Sequence, residues 1–204
     1  MEENIRVIKS YQDYKYFLHQ DKLANKFVKN SFLQSVINYI FPNPIEVFLE
    51  LLRKYEFLHN TRNGSILRNF RLYLVRIKFR KQSLKLGFTI PINVFGPGLS
   101  LPHYGTIVVS RYAKIGKNCR LHAGVNIGAS AGNKEAPKIG ENVYIGPSAI
   151  LFGNINIADN VTIGANATVN KSFLEKNCVI AGSPAKIVKS NFPIWWENNR
   201  LQLN

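Results

Sequence analysis

The sequence predicts a mainly β protein, a parallel β-helix of hexapeptide repeats preceded by an α-helical region. Three observations predict it. After Gly87 a branched apolar residue returns every six positions, at Val109, Ile115, Leu121 and Ile127, then at Ile139, Ile145, Leu151, Ile157, Ile163 and Val169. Two residues before nearly all of these stands a second small or branched apolar residue: Ile107, Ala113, Cys119 and Val125, then Val143, Ala149, Ile155, Val161 and Ala167. Glycine follows the register residue at Gly116, Gly128, Gly140, Gly146 and Gly164. A half-buried strand would show period two without this phase lock, and a helix would show 3.6 and be weakened by the glycines. Each hexad therefore reads as a short strand and a corner, stacked into a prism. Asn118, Asn142, Asn160 and Asn166 suit left-handed backbone at such corners.

Taken in order, residues 1–88 form a helical, basic N-terminal region, 89–190 the repeat domain and 191–204 a C-terminal tail. Tyr11, Tyr14, Tyr16, Phe17 and Leu18 open the first helical stretch. Ile45, Val47, Phe48, Leu51 and Leu52 follow at helical spacing, with Pro44 at the helix start. A third helix is expected from about Ile66 to Leu86, carrying seven Lys and Arg residues among its apolar ones. Beyond the repeat, Phe192, Ile194, Trp195 and Trp196 are expected to cap the open end of the prism.

Composition narrows the function classes. With 204 residues, 46% of them hydrophobic and 12% aromatic, the chain has mass for a real core and is not a disordered polypeptide. Its two cysteines, Cys119 and Cys178, exclude a disulfide scaffold and suggest core filling or a reducing compartment. The opening MEENIRVIKS has no apolar segment of the signal-peptide kind, and the apolar stretch 31–52 is broken by Pro42, Pro44, Glu46 and Glu50. A cytoplasmic protein is the expectation. The net charge of +15 raises nucleic acid as a partner, but no helix-turn-helix, zinc-finger or RNP-type motif accompanies it.

One interruption of the repeat is informative. Between Ile127 and Ile139 lies GASAGNKEAPK, where the residue in phase is Asn133. A polar loop thrown out of the prism explains this, and loops held on rigid scaffolds commonly contact substrates.

The segments LPHYGTIVVSRYAKIGKNCRLHAGVNIG, APKIGENVYIGPSAILFGNINIADNVTIGANATV and VIAGSPAKIV together resemble the hexapeptide acyltransferases of the serine acetyltransferase type. More closely they resemble the relatives that O-acetylate bacterial surface polysaccharides, to whose opening SYQDYKYFLHQDK is also similar. The resemblance implies a left-handed β-helix, a homotrimer, and acetyl-CoA as donor in a cleft between adjacent prisms, with no metal.

Acetyl transfer from a thioester to a hydroxyl needs a base for the alcohol proton and donors for the oxyanion. Histidine suits the base role near neutrality. Only His103 and His122 fall inside the repeat, too few for a carbonic-anhydrase-type metal site needing about three His ligands. By resemblance His103, in Leu-Pro-His-Tyr-Gly, matches the catalytic histidine. Strict counting in sixes from Val109 turns His103 inward, where a base cannot work, and Pro102 is the residue available to displace the coil. His122 lies one residue beyond three hexads from His103, about one coil away and outward-facing.

The resemblance further implies acetyl-CoA contacts at Gly128, Ala129, Gly146, Ala165 and Gly182, with Lys186 and Lys189 at the 3′-phosphate and Lys171 a weaker candidate. Asn93, Tyr104, His122, Asn133 and Glu135 are the acceptor-side candidates. Two departures from the serine enzymes stand out. Pro102 replaces the acid before the catalytic histidine, and Glu135-Ala136 replaces the Arg-His pair of the loop. No Asp or Glu occurs between Glu56 and Glu135, so His103 must be oriented by a carbonyl, by Asn93 or by another subunit. Because Glu135 would repel a carboxylate that Arg would bind, a sugar hydroxyl in surface polysaccharide is the expected acceptor. The alternatives are serine O-acetylation, nucleotide-sugar N-acetylation and a structural solenoid. The charge lies mostly in residues 1–88, at +9 against +6 for the remainder, and reads either as a basic helix near an anionic membrane face or as a solvated or trimer-facing helix.

Overall fold

The computed structural model describes residues 7–26, 40–130 and 132–195. Helix α1 spans Tyr11–Ala24, and the Ser10 hydroxyl at its N-cap accepts from the Asp13 N–H. Helix α2 spans Pro44–Asn60, with Asn43 as N-cap and Pro44 in the first turn. Helix α3 spans Ile66–Leu86 and ends on Gly87, whose φ of 77° supplies the left-handed cap.

Thereafter the chain winds through three stacked sheets. One holds β1 (Phe88–Thr89), β2 (Ile107–Val109), β5 (Asn126–Gly128), β8 (Ile150–Phe152) and β11 (Thr168–Val169). A second holds β4 (Arg120–Leu121), β7 (Tyr144–Ile145), β10 (Thr162–Ile163), β12 (Val179–Gly182) and β13 (Ala185–Lys189). The third holds β3 (Lys114–Ile115), β6 (Lys138–Ile139) and β9 (Asn156–Ile157). All pairings are parallel except β12 with β13, which closes the last coil. Every register residue and every second apolar residue named above is buried. Cys119 and Cys178 are free thiols in this core, and burial pushes the Cys119 thiol up to about 12.

The corners behave as their residues require. Asn118, Asn142, Asn160 and Asn166 all have φ between 55° and 61°. Three of these asparagines also form a ladder: Asn118 donates to Asn142, Asn142 to Asn160, and Asn160 to Asn177, at 2.8–3.0 Å.

Register locates both irregularities of the repeat. Lys138 faces Asn156 and Tyr144 faces Thr162, so that coil is three hexads long. One coil earlier Lys114 faces Lys138 and Arg120 faces Tyr144, and the coil is four hexads long. The additional hexad lies between Gly128 and Lys138, where Gly132, Asn133, Lys134 and Glu135 are exposed. The other irregularity is in the first coil. Val108 faces Asn126, three hexads on, whereas Ser100 faces Arg120, two positions further than three hexads. Two extra residues therefore sit between Leu101 and Ile107.

Helices α1 and α2 cover that first coil through a buried network. Arg53 donates to both Asp21 oxygens at 2.7 and 3.2 Å, to Glu56 at 2.9 Å, and to the Phe95 and Gly96 carbonyls. Asp21 in turn accepts from the Gly98 and Leu99 N–H groups. Asn25 donates to the Leu99 carbonyl and accepts from the Leu101 N–H at 2.8 Å. The chain leading into His103 is thus fixed from the helical side.

The C-terminal expectation needs correction. Trp195 lies on the face of a sheet, far along it from β13. It lies against Arg120 on β4, with the guanidinium 5.7 Å from its ring centroid. The tail leaves β13, is held by the Phe192 N–H donating to the Asn177 carbonyl, and returns across the sheet. Trp196 lies outside the described residues.

Candidate active site

The two-residue insertion settles which way His103 points. Leu101 keeps the inward position and stays buried, Ile107 resumes the repeat, and the extra residues push Pro102–Gly105 out as a bulge. His103 and Tyr104 are both exposed on it. The inward orientation expected from counting is therefore wrong. A count back from Val109 runs through a segment two residues too long.

His122 stands directly beside the bulge. Its ring centroid is 5.8 Å from that of His103 and 5.0 Å from that of Tyr144. The Arg120 Nε donates to His122 Nε2 at 3.4 Å, a long contact that leaves Nδ1–H as the imidazole's donor. Burial, then the Arg120 charge and His103, pull the His122 pKa down to about 4. His122 is therefore neutral at physiological pH, as an imidazole beside a guanidinium must be. Arg120 is itself shifted down by burial, and among the described residues no carboxylate lies within ion-pair distance of it.

A line of small residues runs along the coils from this cluster. The His122 N–H donates to the Ile145 carbonyl, Gly146 N–H to Ile163, and Gly164 N–H to Ile180. His122, Gly146, Gly164 and Ala181 thus occupy equivalent corners of successive coils, and Ala181 faces Lys186 across the β12–β13 pair. Four interstrand steps of about 4.8 Å separate the backbone of His122 from that of Lys186 by roughly 19 Å. Gly164 and Ala181 join this line beyond the candidates read from the sequence, although the phase that picks out Gly146 also picks out Gly164.

The remaining candidates separate by cause. A Cβ on Gly146 would meet Gly164 and Ala165 backbone at 2.8–2.9 Å, so coil stacking alone requires glycine there. Gly182 has φ 98°, which explains its glycine by backbone conformation. Gly128 is different. Its φ is ordinary, and an added Cβ would approach only the Asn126 side chain, at 3.4 Å, so neither stacking nor conformation demands glycine. Beside it Ala129 is partly buried against the core. Lys186 is exposed, whereas Lys189 lies over the Phe192 ring at 5.2 Å and Lys171 over Phe173 at 5.5 Å.

Asn93 does not orient His103. Its amide exchanges two hydrogen bonds with Asn60 at 2.8 and 2.9 Å, and its N–H donates to Glu56 at 2.8 Å, which commits it to the helix contact. Asn133 and Glu135 are exposed on the extruded loop, while Ala136 and Pro137 are buried beneath it. No group of three or more His, Cys, Asp or Glu suited to a metal occurs among the described residues.

Comparison with known proteins agrees with this geometry. Residues 136–171 match the family described as bacterial transferase hexapeptide (six repeats). The chain is 37% identical over 98 residues to serine acetyltransferase of Staphylococcus aureus, covering 47% of this chain and 46% of that protein. It is 31% identical over 105 residues to serine acetyltransferase of Mycobacterium tuberculosis, covering 50% and 45%. The chain thus spans less than half the length of these relatives. Among solved structures, serine acetyltransferase of Neisseria gonorrhoeae superposes with a TM-score of 0.65 at 23% identity, over 94% of this chain and 70% of that one. The coenzyme A complex of the Brucella abortus enzyme gives 0.65 at 22%, over 88% and 69%. The hexapeptide transferase fold with its helical front end is the shared feature.

These relatives overturn the sugar acceptor and the role in surface polysaccharide, because each is named a serine acetyltransferase. The expectation rests on Glu135 alone and passes over a half-buried cation, Arg120, that stands at the histidine pair.

Proposed function

We propose that this chain is an acetyl-CoA-dependent O-acetyltransferase of the serine acetyltransferase type, with His103 as general base and L-serine as acceptor. The observation that carries this reading is the line of small residues at equivalent corners that joins the His103–His122 pair to Lys186. A thioester placed at the histidine end puts the nucleotide phosphates at the lysine end. In the reaction His103 takes the proton of the acceptor hydroxyl as its oxygen attacks the thioester carbonyl. The tetrahedral intermediate collapses, the C–S bond breaks, and the imidazolium returns its proton to the coenzyme A thiolate. Gly128, at the corner that follows β5, leaves room there for close approach of the donor.

Arg120 answers the objection raised by Glu135. A half-buried guanidinium in contact with His122 is suited to holding the carboxylate of an amino acid. The reading includes a left-handed coil, supported by one left-handed residue at successive corners and by the likeness to solved hexapeptide folds. It also includes a homotrimer, supported by the exposed apolar Val108 and Ile150 on the β2–β5–β8 face.

The test is coenzyme A release from acetyl-CoA in the presence of L-serine. His103→Ala is expected to lower kcat about 10²- to 10⁴-fold with an unchanged circular dichroism spectrum. Arg120→Gln is expected to raise KM for serine more than it lowers kcat. A His103→Ala protein with full activity would overturn the assignment.

A further inference from the structure

Helix α3 packs on the rest of the molecule by one side only. Leu72, Val75 and Leu86 are buried and Phe79 is partly so, with Phe79 5.4 Å from Phe48 and 5.6 Å from Tyr55 between ring centroids. The opposite side carries Ile66, Phe70, Tyr73, Leu74, Ile77 and Leu84. The last five follow Ile66 at i+4, i+7, i+8, i+11 and i+18, which puts all six on one stripe of an α-helix. Ile66 is 88% exposed and Leu84 75% exposed, so this stripe lies open along the whole helix.

Charge frames the stripe on both edges. Arg71, Lys78 and Lys85 recur at heptad spacing along one side, and Arg76 and Arg80 lie along the other. No Asp or Glu occurs anywhere in Ile66–Leu86. An open cleft of about 430 Å³ adjoins the stripe at Tyr73 and is lined by Tyr55, Arg62, Asn69, Leu72 and Arg76. Two arginines, two phenols and an amide make a lining matched to an anionic headgroup.

We propose that α3 docks the protein on an anionic membrane surface, its apolar stripe entering the acyl boundary and its flanking cations contacting acidic headgroups. The helix lies on the surface and does not cross it, since no described helix is long and apolar enough to do so. Charge decides against a second copy as occupant. Two such helices pressed together would bring cations against cations with no acid between them, whereas acidic lipid compensates every one. Lys81, which falls within the stripe, reaches headgroup level along its own methylene chain.

The full chain should co-sediment with vesicles of phosphatidylcholine and phosphatidylglycerol, stay in the supernatant with phosphatidylcholine alone, and be released by high salt. Each cation removed lowers partitioning about fivefold, so Arg71→Gln with Lys78→Gln should weaken it roughly 25-fold. Phe70→Ser, at an exposed position that leaves the fold intact by circular dichroism, should weaken it about tenfold or more. Absence of sedimentation, or equal sedimentation with both vesicle types, overturns the proposal. So does a fall in sedimentation coefficient on Phe70→Ser without lipid, which would show that a second copy covers the stripe.

Discussion

In the prism, Ile145 and Ile163 stack one above the other, and backbone hydrogen bonds and the asparagine ladder pass between coils. Where helices α1 and α2 meet the first coil, apolar packing by Phe48, Leu49 and Leu52 is joined by a network of Asp21, Arg53 and Glu56, all buried. The prism repeats one solution, so each coil offers the next the same apolar platform and the same ladder. The helical region has a single contact to make against backbone that has already used one face. It satisfies the outward carbonyls of Phe95 and Gly96 and the N–H groups of Gly98 and Leu99 with fixed charges. Apolar stacking tolerates small changes of shape. A charge network fails as a unit when one member goes.

Substitutions that fail differently in the two regions sharpen this contrast. Arg53→Met leaves two carboxylates buried without their cation and should cost about 3–5 kcal/mol, read as a lower urea midpoint. Ile145→Val in the prism should cost only about 0.5–1.5 kcal/mol. Because Asn25 and Asp21 hold the strand that leads to His103, Arg53→Met should also lower acetyl transfer in whatever fraction remains folded. Equal destabilisation by the two substitutions would remove the distinction.

Within the prism, glycines divide by the same logic of what surrounds them. Gly146→Ala forces a methyl against Gly164 and Ala165 backbone and should destabilise by about 1–3 kcal/mol. Gly128→Ala meets only one side chain and should leave the unfolding midpoint nearly unchanged, while raising KM for acetyl-CoA. If Gly128→Ala is as destabilising as Gly146→Ala and binds donor normally, Gly128 is a packing residue.

Legibility in the sequence follows the same division. The six-residue period exposes the register residues from Val109 to Val169 but not Phe95, Phe173 and Ile180, which stack at separations that are not multiples of six. The third helix reads to its boundaries because Gly87 ends it and the β-branched grammar begins at once. The bulge at His103 is readable too, because Leu101 and Val109 stand two positions further apart than Leu121 and Ile127, on which they stack. Counting phase by position, and not by which apolar residue resumes it, hides the bulge. Arg53 with Asp21, and Trp195 with Arg120, are far apart in the chain and follow no period. Such pairs arise from how separate elements meet, and that information is absent from local pattern. His103 and His122 meet for the same reason, since they come together only through the folding of the coil.

The smallest effect concerns the one corner where scaffold and site share a residue. The folded protein holds the His122 pKa near 4, while an unfolded chain titrates this imidazole near its ordinary 6.5. As pH falls from 6.5 towards 4 the unfolded state therefore takes up a proton that the native state refuses. The contribution to stability is full above pH 6.5 and declines as pH drops through that window. His122→Gln removes the titration while keeping a polar side chain beside Arg120. Thermal unfolding midpoints measured from pH 4 to 7 should fall less steeply for His122→Gln than for the parent chain. The rest of the +15 chain contributes the same slope to both, so the difference isolates this corner. Parallel slopes would mean that His122 titrates normally and that its contact with Arg120 does not persist in solution.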